Sequence, residues 1–207
     1  PSPALEAPPA PRVALQALPA GVLAEPVEAV ILRRGSSRRF PRAPIPLDAL
    51  ATVIACAARP APITPYVQPE LYVIANAVDG LEPGAYAAAA DGRSLELLRS
   101  GDLRRDAGHL DLDQPLAADA AANLYWLVDL ERVFARLGGR GYRAAQLAAA
   151  VAGGRAYLAA YALGLGATGL TFYDDAVTAF LSPHAAGKAV MFLVAIGRRL
   201  IRRPATS

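Results

Sequence analysis

Between Ile45 and Ala58 the chain reads IPLDALATVIACAA, with apolar side chains recurring at the spacing of one helix face. Asp48 falls in the first turn of this predicted helix, where a carboxylate suits the dipole. The proline-rich stretch RPAPITPYVQP (59–69) ends it. A shorter helix is predicted over Glu25–Leu32, with Val27, Val30 and Ile31 on one side. Glu70–Ala75 (ELYVIA) is short, aromatic and β-branched, and predicts a strand. Ala85–Ala89 and Ser94–Leu98 read as a hairpin around Asp91-Gly92. Asp102–Ala107 predicts a helical turn, and Ala122–Asp129 (ANLYWLVD) another strand.

The later half is richer in alanine. Gly141–Leu163 places Leu147, Val151, Leu158 and Tyr161 at helical spacing, which predicts a buried central helix. Gly153 and Gly154 lie in its middle, each costing up to ~1 kcal/mol against Ala unless another backbone comes close. Gly164–Gly169 reads as a glycine-spaced loop, Asp174–Leu181 as a short helix, and Ala189–Ile196 (AVMFLVAI) as a core strand. Helices and strands mix without a regular βαβ repeat, so the pattern predicts an α+β fold. The first 26 residues are rich in Pro and Ala, which predicts a linker or extended arm before one domain over 27–203. A start at Pro instead of Met points to a processed or excised piece of a longer protein.

Composition narrows the class. The 207 residues are 54 % hydrophobic and 19 % charged, which excludes an intrinsically disordered chain. Mean hydropathy is +0.28, yet Arg, Asp or Gly interrupts every apolar run before the ~20 residues of a membrane span. The expectation is a protein without membrane or nucleic-acid partners, since a net charge of +3 is too mild to argue for the latter. No basic region leads into an apolar core at the start, so the expected location is cytoplasmic. Cys56 is the single cysteine and lies in the apolar helix, where a buried, inert thiol is the simpler reading. His109 and His184 stand apart with no metal spacing and no visible partner.

Four segments could carry chemistry. Arg33-Arg34-Gly35-Ser36-Ser37-Arg38-Arg39-Phe40 puts four guanidinium groups and two hydroxyls into seven residues. Paired N–H donors suit phosphate oxygens and hydroxyls suit a polyol, although a solvated basic loop has the same composition. Gly164-Leu165-Gly166-Ala167-Thr168-Gly169 follows a helix instead of opening one, so it matches neither dinucleotide fingerprint nor P-loop. Arg198, Arg199, Arg202 and Arg203 follow the last strand as a basic tail. Asp174-Asp175 suits an acid/base pair or the start of a helix.

Taken in order, RRGSSRRF, PIPLDAL, ELYVIANAVDGLEPGAYAAAADGRSLELLRSGDLR, GGRGYR, ALGLGATGLTFYDD and KAVMFLVAIG resemble the flavin-dependent nitroreductase superfamily. VDGLEPGAY and GDLR are similar to its SagB-type dehydrogenase branch. The resemblance spans roughly residues 32–198. It implies a mostly antiparallel central sheet flanked by helices, a homodimer or fused pseudo-dimer, and FMN in a cleft between two copies. Arg34, Ser36 and Arg38 match the element that holds phosphate and ribityl chain. Gly169, Leu170, Thr171 and Phe172 match the loop against the isoalloxazine ring, and Arg198 and Arg199 complete the phosphate site. Tyr66, with Thr64, Pro65 and Gln68, falls where the family has a loop reaching the flavin.

The implied function is an FMN-dependent oxidoreductase passing hydride between NAD(P)H or a small organic substrate and flavin N5, with no protein acid or base required. The alternative is a weakly active domain that sequesters flavin or completes a partner's site. Gly35 replaces the family's Arg, and Ala148, Ala149, Ala150, Val151, Gly154 and Arg155 replace polar residues frequent on the branch's central helix. Arg136-Leu137 stands where azoline oxidases of the branch carry Lys-Tyr. A guanidinium does not release its proton, and leucine has no hydroxyl, so azoline oxidation is not the expected reaction.

Overall fold

The computed structural model describes residues 11–19, 21, 22, 25–61 and 67–200. Its centre is a seven-stranded antiparallel sheet in the order β1-β6-β5-β3-β7-β9-β8. The strands are β1 (Arg12–Ala14), β3 (Glu70–Ala75), β5 (Gly84–Ala88), β6 (Ser94–Ser100), β7 (Ala122–Val128), β8 (Leu165–Gly169) and β9 (Ala189–Arg198). A two-residue parallel pair, β2 (Ile45–Pro46) with β4 (Val78–Asp79), lies beside it.

All seven residues of β7 are buried, because helices cover both faces of the sheet there. Leu124, Trp126 and Val128 join Leu71 and Val73 of β3 under α2 (Leu47–Ala57) and α6 (Gly141–Ala162). The alternate residues Tyr125 and Leu127 join Tyr72 and Ile74 under α3 (Arg104–Leu110) and α7 (Asp174–Leu181). The smaller helices are α1 (Val27–Arg33), α4 (Pro115–Asp119) and α5 (Leu130–Leu137). Among the described residues no helix is long and apolar enough to cross a membrane.

The α+β class and most predicted elements are present. The hairpin turns at Gly92, whose φ of +70° requires the left-handed region, and Asp91 accepts from the Arg93 amide at 2.9 Å. Three readings change. The glycine-spaced segment after α6 is the edge strand β8, paired along its length with β9. The proline-rich start contributes a strand, since Arg12–Ala14 pairs with Ser94–Glu96. The central helix turns its alanines to the sheet: Ala145, Ala148, Ala149, Ala152, Ala156 and Ala160 are buried. Leu147 is 45 % exposed, and Val151 and Leu158 are only half-buried.

Small residues on that face let β9 approach. A Cβ at Gly153 would stand 2.4 Å from the Phe192 ring, so an aromatic ring, not a backbone, demands this glycine. Gly154 points into open space. On α1 only Val30 is buried; Val27 and Ile31 are about half exposed. Cys56 is half-buried against the core.

Candidate functional site

The arginine-rich segment runs from the end of α1 across one end of the sheet. Phe40 anchors it: the ring is buried against β8 and β9, and a Cβ on Gly197 would come within 2.7 Å of it. The Ser37 amide donates to the Ala167 carbonyl of β8 at 2.9 Å. Gly166 is required by the same approach, because a Cβ there would meet Ser37 Oγ at 2.3 Å. The loop can lie this close only where β8 carries no side chain, which explains Gly166.

Two tyrosines on α6 hold the loop from the other side. Tyr161 Oη donates to the Gly35 carbonyl at 2.6 Å, and Tyr157 Oη donates to the same oxygen. Their rings stack at 5.5 Å with 5° between planes. The Arg34 guanidinium lies 5.7 Å from the Tyr157 ring centre, and Arg199 lies 5.5 Å from that of Tyr161. Each of the two rings thus has one guanidinium group against it. Burial pushes the Tyr157 phenol up, against the hydrogen-bond contact with Ser36 and the charges of Arg34 and Arg38. Tyr157 therefore remains a neutral donor near pH 7.

The arginines divide by partner. Arg33 pairs with Glu25 and donates to the Tyr161 carbonyl, Arg42 pairs with Asp119, and Arg198 Nε donates to the Pro44 carbonyl at 2.7 Å. Among the described residues, Arg34, Arg38 and Arg199 have no carboxylate in ion-pair range. Ser36 is exposed beside them. Arg198 and Arg199 both line a cleft of about 370 Å³ with Asp48, Gly164 and Leu165.

Gly169–Phe172 begins at the far end of β8. Three residues of strand, about 10 Å, separate Gly169 from Gly166. Leu170 packs with Phe40, Ala120 and Ala195, so one cluster ties this segment to the arginine loop. Phe172 packs into the lower core, and Thr171 is exposed with Gln114 Nε2 at 3.4 Å from its Oγ1. Tyr66, Thr64, Pro65, Arg202 and Arg203 lie outside the described residues, as does the predicted domain end at 203. Gln68 lines a separate cleft of about 550 Å³ with Arg59, Glu70, Trp126 and His184.

Other features had no clear signal in the sequence. His184 has partners: its Nδ1 lies 2.9 Å from Tyr72 Oη, which accepts from Lys188 Nζ at 2.8 Å. Lys188 also donates to Glu70 at 2.7 Å and to the His184 carbonyl at 2.9 Å. His109 Nδ1 lies 2.9 Å from Asp113. Asp174 and Asp175 occupy the first turn of α7. Among the described residues no three His, Cys, Asp or Glu gather as a metal site.

Residues 31–198 match the profile of the nitroreductase family, and with that span covering most of the chain, the protein belongs to this family. The fold is similar to a candidate nitroreductase from Anabaena variabilis at 27 % identity and a TM-score of 0.82, covering 92 % of this chain and 42 % of that one. This chain thus spans less than half the length of the Anabaena protein. A candidate nitroreductase from Ralstonia eutropha is similar at 23 % identity and TM-score 0.75, with 96 % of each chain covered. An FMN-dependent nitroreductase from Clostridium difficile shares the fold at 13 % identity and TM-score 0.58, over 86 % of this chain and 90 % of that one. No protein of curated function matches the chain.

Proposed function

We propose that this domain is an FMN-dependent oxidoreductase that exchanges hydride with NAD(P)H or a small organic substrate. The observation that carries the reading is that Arg34 and Arg199 lie against the stacked Tyr157 and Tyr161, with Arg38 on the same loop, and none of the three has a carboxylate partner among the described residues. A phosphate dianion supplies the missing charge, and guanidinium groups suit its geometry. Ser36 would meet the polyol chain, and Arg198, spent in part on Pro44, would add to the local positive field. Gly169, Leu170, Thr171 and Phe172 would face the ring, about a strand's length from the phosphate end, and Tyr66 would reach it from the 62–66 segment. When bound, FMN supplies the redox chemistry itself. The protein's part is to orient the ring, exclude water from it and leave one face open.

The assembly follows from the surface of α6. Leu147, Val151, Gly154 and Leu158 form one stripe at i, i+4, i+7 and i+11 that the sheet does not cover. Exposed Val27 and Ile31 lie on α1, which packs against α6. A second copy would cover this stripe and complete a cleft of which one chain offers half. The segment from Val78 through Tyr86 and the following Gly101-Asp102-Leu103-Arg104 support placement in the SagB-type branch.

The deciding experiment is a visible spectrum of purified protein with chromatography of heat-released flavin. About one FMN per chain, lost in Arg38→Ala, is the expected result. Turnover of NAD(P)H with menadione or a nitroaromatic then tests the reaction. Protein that takes up no FMN overturns the reading. FMN bound without turnover on any acceptor favours a flavin-sequestering domain.

A further inference from the structure

Asp111 follows the last residue of α3 and is fully buried. Its Oδ1 accepts from Tyr125 Oη at 2.9 Å, while Oδ2 reaches neither solvent nor a partner. An ionised carboxylate with one orphaned oxygen is costly in such a place, and the neutral acid costs less. Burial pushes the Asp111 carboxyl up to about 8, with the Tyr125 hydrogen bond pulling the other way.

The turn that follows is held in an uncommon shape. Leu112 and Asp113 have φ of +58° and +55°, a region that a leucine rarely enters. Gln114 fastens the turn through its Nε2, which donates to the Asp111 carbonyl at 2.8 Å. This turn grips the segment after β8 through three contacts to two residues, Thr171 and Tyr173. The Tyr173 amide donates to the Leu110 carbonyl at 2.8 Å, Gln114 Nε2 reaches Thr171, and Tyr173 Oη donates to Asp113 at 3.3 Å. The His109 ring adds an aromatic contact to Tyr173 at 5.7 Å.

We infer that Asp111 is a positioning residue: as a neutral acid it locks the 110–114 turn onto Thr171–Tyr173, and its ionisation unlocks that segment. The consequence for the flavin rests on the function proposed above, in which Gly169–Phe172 faces the ring. Other charged groups do not supply the effect. Arg104, Arg105, Asp106 and His109 on α3, Asp113 in the turn, Asp119 on α4, and Asp174 and Asp175 on α7 are exposed or half-exposed. Tyr125 on β7 is the titratable group that touches Asp111, and burial holds its phenol well above the usual range.

The test is hydrogen exchange at the Tyr173 amide, corrected for base catalysis, from pH 6.5 to 9.5 with and without FMN. In the wild-type protein, protection should fall about tenfold between pH 7 and 9, because one unit above its pKa the acid is ten-to-one ionised. Asp111→Asn keeps the shape and the Tyr125 bond, and its corrected protection should stay level. Level protection in the wild type, or the same step in the variant, overturns the inference. If the variant does not fold, carboxyl-carbon NMR of the wild type decides, and an Asp111 midpoint below pH 6 overturns it. If FMN does not bind but the step is present, the flavin reading fails and the switch stands.

Discussion

Two charged clusters in this molecule are built in opposite ways. Around Lys188 the charge closes on itself: the ammonium donates to Glu70, Tyr72 and the His184 carbonyl, and the phenol passes a hydrogen bond to His184. Around Arg34, Arg38 and Arg199 the charge stays open, with aromatic faces against Arg34 and Arg199 and no carboxylate partner for any of the three among the described residues. A closed cluster fastens the connection between α7 and β9 to β3 and asks nothing of a ligand. An open cluster keeps mutual repulsion in the free protein and is relieved by an anion from outside. The difference separates charges that hold the fold from charges that serve it.

The widest test of this contrast removes the open charges. Arg34→Ala combined with Arg38→Ala should weaken FMN binding by about 10²–10⁴-fold, at roughly 1.5–3 kcal/mol per lost charged hydrogen bond. Thermal stability of the FMN-free protein should hold or rise, and equilibrium dialysis beside a melting curve reads both. Lys188→Met should do the reverse. It strands Glu70 and Tyr72, so urea unfolding should show a loss of about 1–3 kcal/mol with FMN affinity unchanged.

Asp111 sharpens the contrast with a third arrangement, a charge suppressed instead of paired. Its folded pKa of about 8 lies above the ordinary carboxylate value of 3.8. The folded form therefore holds the proton more tightly, and this contribution is complete below 3.8 and lost as pH rises through 8. Wild-type stability relative to Asp111→Asn should fall between pH 5 and 8 by at most about 1.4 kcal/mol per unit, measured by urea unfolding. Sodium chloride gives the smallest effect. Raising it from 0.05 to 0.5 M should weaken FMN binding severalfold while moving the melting temperature little, since exposed charges are the ones that salt screens.

Arg34, Ser36 and Arg38 stand out in the sequence as one candidate anion-binding run because their chemistry sits in one short segment. Tyr157 and Tyr161 do not, because they lie more than a hundred residues away and Tyr161 reads as one more apolar position on a helix. That helix is legible as a helix, yet the spacing of its leucines points to the wrong buried face. Leucines usually mark a core, but here close approach of β9 selected alanines and left the leucine stripe outside. β8 reads as a loop because glycine counts against a strand, whereas Gly166 is there to admit Ser37 and Phe40. Asp111 sits in LDLDQP, a run that reads as an exposed acidic turn, and only the packing of α3 over Tyr125 reveals its burial.

The Ser37–Ala167 hydrogen bond also bears on how the protein keeps in solution. An open sheet ends in two strands whose outer backbone groups can recruit a neighbouring molecule. At one side β1 is only three residues long, and at the other the arginine loop lies along β8 and takes up Ala167. The loop thus guards an edge as well as offering its guanidinium groups. Changes that pry it loose, such as Gly166→Val, will uncover a strand, so poor expression and lost cofactor will arrive together. Changes confined to the arginine tips will leave the guard in place and give clear, colourless protein.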